Sequence, residues 1–255
     1  SAGFFEFANL DAGDYQLIAE KDRYLADTID VSITDNQDYD QANLFLDALP
    51  GIKRSLFYSE HIDQWWPGPV YHAFFTVVVE DPDGVADIDS LAYLIPSLNF
   101  TKPLQATGRP DSFFVDIENF DLPGETLQSL VEEESFIFLE DEAGAQITEG
   151  PFFLHRIIED APVPESPTSM QTVSSSPILE WQPFSLTFEF DFVVQVFRIS
   201  AGIPMLIHTS AKIPAGQTTY AYPTTLSSGS YYWTIGVRDR LHNFSRSKEA
   251  SFIVP

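Results

Sequence analysis

The sequence predicts an all-β chain built from tandem β-sandwich modules. Helical periodicity is almost absent, while short runs of alternating apolar and polar residues recur between turn residues. Phe is abundant (22) and Met scarce (2), which favours stiff, aromatic-packed β cores over plastic helical ones. The 255 residues allow one to three domains at about 150 residues each, and turn clusters divide them into three: 1–50, 51–161 and 162–255.

In the first segment Phe5 and Phe7 alternate before the turn Asn9-Leu10-Asp11-Ala12-Gly13, and Tyr15, Leu17 and Ala19 alternate after it. Ile29–Ile33 and Leu44–Leu46 give two further strands, with a polar loop over 34–41 between them. Leu49-Pro50-Gly51 reads as a turn and linker. In the second segment the strongest strand is Tyr71–Glu80, followed by the turn Asp81-Pro82-Asp83-Gly84. Leu91–Ile95, Phe113–Ile117 and Phe136–Leu139 follow, and Asp141-Glu142-Ala143-Gly144 makes a hairpin turn into Phe152–Leu154. Residues 124–134 read as a short helix or an acidic loop. Strands spaced by turns over about 110 residues suit a sandwich.

A proline-rich stretch, Ala161 to Pro167, is stiff because each proline fixes φ, and is expected to hold the modules in an extended row. The third segment then gives Ile178–Trp181, an alternating run Phe188, Phe190, Phe192 and Val194, and a turn at Ile213–Gly216. Tyr231, Trp233, Ile235 and Val237 fall on one face of a late strand, and Phe252–Val254 closes the chain. Trp181 and Trp233 are expected in the core.

Composition excludes several functions. Lys plus Arg is 13 against 38 for Asp plus Glu, a formal net charge of −25. Nucleic-acid binders need clustered basic side chains, and an anionic lipid surface attracts them equally; neither partner is expected. Cysteine is absent, which removes disulfides, thiolate metal sites and cysteine nucleophiles. No apolar run approaches the roughly 20 residues that span a bilayer. The opening Ser-Ala-Gly-Phe-Phe-Glu lacks the basic start of a signal peptide, as a mature chain also would.

Three resemblances follow from particular runs. Ser166-Pro167, Ile178-Leu179-Glu180-Trp181, Leu226-Ser227-Ser228-Gly229-Ser230-Tyr231-Tyr232-Trp233 and the turn Asp239 to Asn243 together resemble a fibronectin type III domain of the bacterial surface kind. One tyrosine of that run is expected to make a corner hydrogen bond. Gly3 to Leu17, with Phe5, Phe7, Leu10, Gly13, Tyr15 and Leu17 in place, resembles the second half of a carboxypeptidase regulatory-like (transthyretin-like) domain. The early strands of that family are not in this sequence, so the half-sandwich is expected to leave an edge and an apolar face exposed. Val77 to Ile88 is similar to an Ig-like strand pair and its turn. All three resemblances imply extracellular, cell-surface or periplasmic spacer or adhesive modules whose partners are other modules or surface proteins. None implies catalysis.

Candidate sites are few. Asp81, Asp83, Asp87 and Asp89 surround Gly84. Calcium takes six to eight oxygens, and a glycine-bent loop can converge carboxylates upon it. The competing reading is a β-turn whose aspartates bond local backbone amides. Trp65 and Trp66 precede Pro67-Gly68-Pro69, either as a stacking platform for polysaccharide or as a seal on a module interface. The five histidines (61, 72, 155, 208 and 242) show no paired metal-ligand spacing. A hydrolase built on Asp116 and Glu118 is a third class, and it requires a deep cleft holding them. No nucleophile elbow, phosphate loop or dinucleotide fingerprint occurs. Asn99 and Asn243 head glycosylation triplets, with Asn243 read as a turn residue.

Overall fold

The computed structural model describes residues 4–34 and 42–255. Their regular structure is strand, interrupted only by 3-10 turns at Val85–Asp87, Pro96–Leu98, Asn119–Asp121 and Leu127–Leu130. No helix is long and apolar enough to cross a membrane.

The first segment folds as the antiparallel hairpin Gly13–Ala19 with Ile29, Val31 and their neighbours in Asp27–Ile33, Tyr15 lying opposite Val31 and Leu17 opposite Ile29. Two expectations fail here. Residues 4–12 form no strand, and Leu44–Leu46 is irregular, with only Asp47–Ala48 pairing onto Tyr24–Leu25. Among the described residues no layer covers these side chains: Phe4 is 91% exposed, Phe7 63% and Phe45 80%. Gly3, in the resembling run, and nearly all of the polar loop 34–41 lie outside the described residues.

The second segment is a two-sheet sandwich. One sheet orders Gly51–Ile62, Val70–Glu80, Ser112–Glu118 and Gln105–Ala106; the other orders Gln146–Phe152, Ser135–Asp141, Ile88–Ile95 and Phe100–Pro103. Period-two alternation sends Ala73, Phe75, Val77 and Val79 inward from one sheet to meet Tyr93, Ile95, Ile137 and Leu139 from the other. Residues 124–134 resolve to a 3-10 turn, Leu127–Leu130, that buries both its leucines under the sandwich end. The strand Gly51–Ile62 replaces the expected linker at Gly51. A bulge between Ile52 and Arg54 breaks its alternation, and buried Ser59 and His61 stand where apolar residues would mark a core face.

In the third segment Phe190–Ser200 pairs with Gly229–Asp239, and the small sheet Pro164–Ser166, Ile178–Trp181 and Thr219–Ala221 covers the same core. Trp181 and Trp233 are both buried there with Phe192, Val194, Tyr231 and Ile235. The Trp233 indole donates to the Pro167 carbonyl at 2.8 Å, and the Tyr231 hydroxyl donates to the Ser227 carbonyl at 2.7 Å. The latter is the expected tyrosine bond. The proline stretch is corrected in part: Pro164–Ser166 is itself a strand of this sandwich, while 161–163 carry no regular structure. The two sandwiches instead share a sheet, because Phe244–Arg246 runs parallel to Glu60, His61 and Ile62. An eleven-stranded sheet passes through both.

Candidate functional site

Two places gather polar side chains where a sandwich would ordinarily bury apolar ones. The first is an end of the second sandwich. Asp81, Asp83 and Asp87 lie on the loop joining Val70–Glu80 of one sheet to Ile88–Ile95 of the other. Gly84 bends that loop with φ of 119°, a conformation that favours glycine. Asp141 ends the strand Ser135–Asp141, and the Glu142 amide donates to the Asp87 carbonyl at 2.7 Å, holding the two loops together. Asp47 arrives from the first segment, fixed because the Ala48 amide donates to Asp83 Oδ2 at 2.9 Å.

Carboxylate oxygens of Asp47, Asp87 and Asp141 lie within 4.8 Å of one another, and so do those of Asp81, Asp83 and Asp87. Asp87 belongs to both groups. Local amides hold one oxygen of Asp81 and of Asp141, from Asp83 and Ala145, each at 2.7 Å. Their other oxygens, with Asp47 Oδ2, are sealed from solvent and accept no hydrogen bond among the described residues. Burial raises the Asp47 carboxyl above its ordinary value, and the charges of Asp141, Asp87, Asp83 and Asp81 raise it further. Asp81 is also raised, chiefly by burial. Two unit charges at about 4.8 Å repel by roughly 3–4 kcal/mol at an effective dielectric constant of about 20. None of these five carboxylates meets a lysine, arginine or histidine in an ion pair among the described residues.

The loop is a hydrogen-bonded turn, and it converges Asp81, Asp83 and Asp87. Asp89 is exposed and stands outside both groups. Asp47 and Asp141 were not among the residues the sequence singled out. Their contribution comes from other strands, and only the hairpin turn beginning at Asp141 was visible in the sequence.

The second place is the seam between the sandwiches. Ser59, His61, Asn243 and Ser245 are all buried. The Ser59 amide donates to Asn243 Oδ1 at 2.9 Å, His61 Nδ1 lies 3.0 Å from Ser245 Oγ, and the Asp63 amide donates to the Arg246 carbonyl at 2.9 Å. Asp239 positions Asn243 by accepting from its backbone amide (2.9 Å) and its side-chain amide (3.0 Å). The glycosylation triplet at Asn243 is thus a buried turn residue. The His61 ring stacks on Tyr71 at 4.4 Å, and burial pushes its pKa down despite the Asp63 charge, the Ile158 backbone, and Glu159 and Asp160.

Trp65 and Trp66 flank this seam, 69% and 85% exposed. The Trp65 indole is tied down: it donates to the Glu249 carbonyl at 3.0 Å, and Lys248 Nζ sits 5.0 Å from its ring centre. Trp66 projects to solvent. Asp116 and Glu118 lie beside His72 on an outer sheet face, with His72 Nδ1 2.9 Å from Asp116 Oδ1. They are half-exposed on strands and line no described cavity. A groove of about 780 Å³ opens at one end of the third sandwich between Phe184, Phe188 and Gly216. Its carboxylates are matched by cations: Asp191 with Lys212 at 3.4 Å, Asp239 with Arg156 at 3.6 Å, and Glu189 with Arg240.

No family model matches the sequence, and no curated protein sequence matches it. Among solved structures, the chicken CNTN1 FN1–FN3 domains align with a TM-score of 0.39 at 7% identity, over 90% of this chain and 77% of that one. The Clostridium thermocellum CbhA fibronectin(III)-like modules align with a TM-score of 0.34 at 8% identity, over 81% and 93%. Similarity at this level bears on neither activity nor partners, and the architecture rests on the chain's own strands.

Proposed function

We propose that this chain is a non-catalytic spacer and interaction unit of an extracellular, cell-surface or periplasmic bacterial protein, resembling fibronectin type III and Ig-like arrays. The observation that carries the reading is the shared sheet. Modules strung on free linkers reorient, because ordinary inter-domain contacts are small and polar. Here a parallel ladder, Phe244–Arg246 on Glu60–Ile62, joins two sandwich cores, and a buried hydrogen-bonded seam fixes its register. Such a joint transmits position from one end to the other, as a spacer requires.

The composition agrees. A net charge of −25 limits self-association and disfavours nucleic acid as a partner. The polysaccharide-binding alternative has two exposed indoles to draw on, of which Trp65 is already engaged with the Glu249 carbonyl and Lys248.

The absence of native cysteine makes the spacer reading directly testable. Spin labels on Arg109→Cys in the second sandwich and Gln217→Cys in the third, both exposed positions, report the distance between the two bodies. A single narrow distance distribution is expected. A broad one would show two modules on a flexible tether and would remove this function.

A further inference from the structure

We infer that Asp47, Asp81, Asp83, Asp87 and Asp141 form a calcium site that locks the first segment onto the end of the second sandwich. This goes beyond the spacer reading and does not depend on it. Calcium bonds oxygens at about 2.4 Å, so two oxygens on opposite sides of one ion stand about 4.8 Å apart. Within each of the two carboxylate groups sharing Asp87, the oxygens fall inside that span. The independent pointer is Asp141. It is 2% exposed, its Oδ1 is held by the Ala145 amide, its Oδ2 has no donor among the described residues, and one of its carboxylate oxygens lies within 4.8 Å of those of Asp47 and Asp87. A buried carboxylate oxygen without a partner is costly, and Asp47 and Asp81 each present another.

The donor set selects the ion. All five side chains are hard oxygen donors, with no imidazole or sulfur among them. They come from an exposed loop, a strand end and a short edge pairing, an adaptable frame that suits calcium's variable coordination better than magnesium's strict octahedron. The charge excess is what holds the ion, and the ion removes the repulsion among its ligands. Because Asp47 comes from the first segment, binding couples that hairpin to the sandwich.

Chelator-stripped protein is titrated with calcium chloride by calorimetry, and melts are recorded in calcium and in chelator, for the parent, Asp87→Asn, Asp47→Asn and the exposed control Glu134→Gln. The parent is expected to bind one calcium saturably and to melt higher with it, by mass action. Asp87→Asn and Asp47→Asn are expected to weaken binding roughly tenfold or more, while Glu134→Gln matches the parent. In chelator, Asp87→Asn melts at or above the parent because a repulsive charge is gone; that result also shows that it folds. No saturable calcium heat in the parent, parent-like affinity in Asp87→Asn, or magnesium binding as tightly as calcium would each overturn the assignment.

Discussion

His61 sits between two sandwiches with its ring against Tyr71 and its Nδ1 at Ser245 Oγ. Burial holds its folded pKa below 6.5, so the unfolded chain takes up the proton first as the pH falls. Stability is therefore fully present above about pH 6.5 and is lost progressively below it. Melts at pH 7.5 and 5.5 are expected to show a larger acid loss in the parent than in His61→Gln. Equal losses would mean that the imidazole is not buried neutral. At this scale the sequence was informative where chemistry is local. The Asp81–Asp87 loop, the core placement of Trp181 and Trp233, and the turn role of Asn243 all follow from neighbouring residues. Asp47 and Asp141 do not, because what brings them to Asp87 is strand pairing between distant segments. His61 was one histidine among five and nothing in its immediate sequence marks it as buried.

Among the elements, alternating strands with apolar inner faces were legible, and the long strand Gly51–Ile62 was not. Its bulge shifts the phase, and its inward polar residues face a seam that exists only once both sandwiches are folded. The run at Phe5 and Phe7 fails in the opposite way: alternation is present, but no layer among the described residues covers it. The edge strand Ile203–Thr209 was also missed, since most of its residues are exposed and its apolar side chains show no buried face. One glycine sets how closely the seam strand approaches its hairpin partner. A Cβ at Gly236 would stand 2.4 Å from Phe244 Cε2 and 3.1 Å from the Ser245 carbonyl. Phe244 is buried under Arg238 and has little room to yield. Gly236→Ala is expected to lose roughly 1–3 kcal/mol in urea unfolding, the usual cost of overpacking. An unchanged midpoint would show that the strand 244–246 is free to move away.

Across the whole molecule, the apolar interiors form two clusters, one in each sandwich, and their joint is hydrogen-bonded backbone and buried polar side chains. Sequence reasoning placed a stiff proline spacer between modules. In the structure Pro164–Ser166 belongs to the third sandwich, and the joint is lateral. That arrangement was illegible because neither partner of the parallel ladder is apolar or periodic enough to announce a strand in a core. The spacer account rests on the two sandwiches opening as one unit. Native-state hydrogen exchange of the seam amides tests this most directly, because exchange reports the free energy of the opening that exposes each group. The amides of Ser59 and Asp63, which bond across the seam, are predicted to exchange as slowly as core amides such as Phe75 and Val194, through global unfolding. Exchange of Ser59 and Asp63 through a much cheaper opening, with the two cores still protected, would contradict a shared rigid sheet.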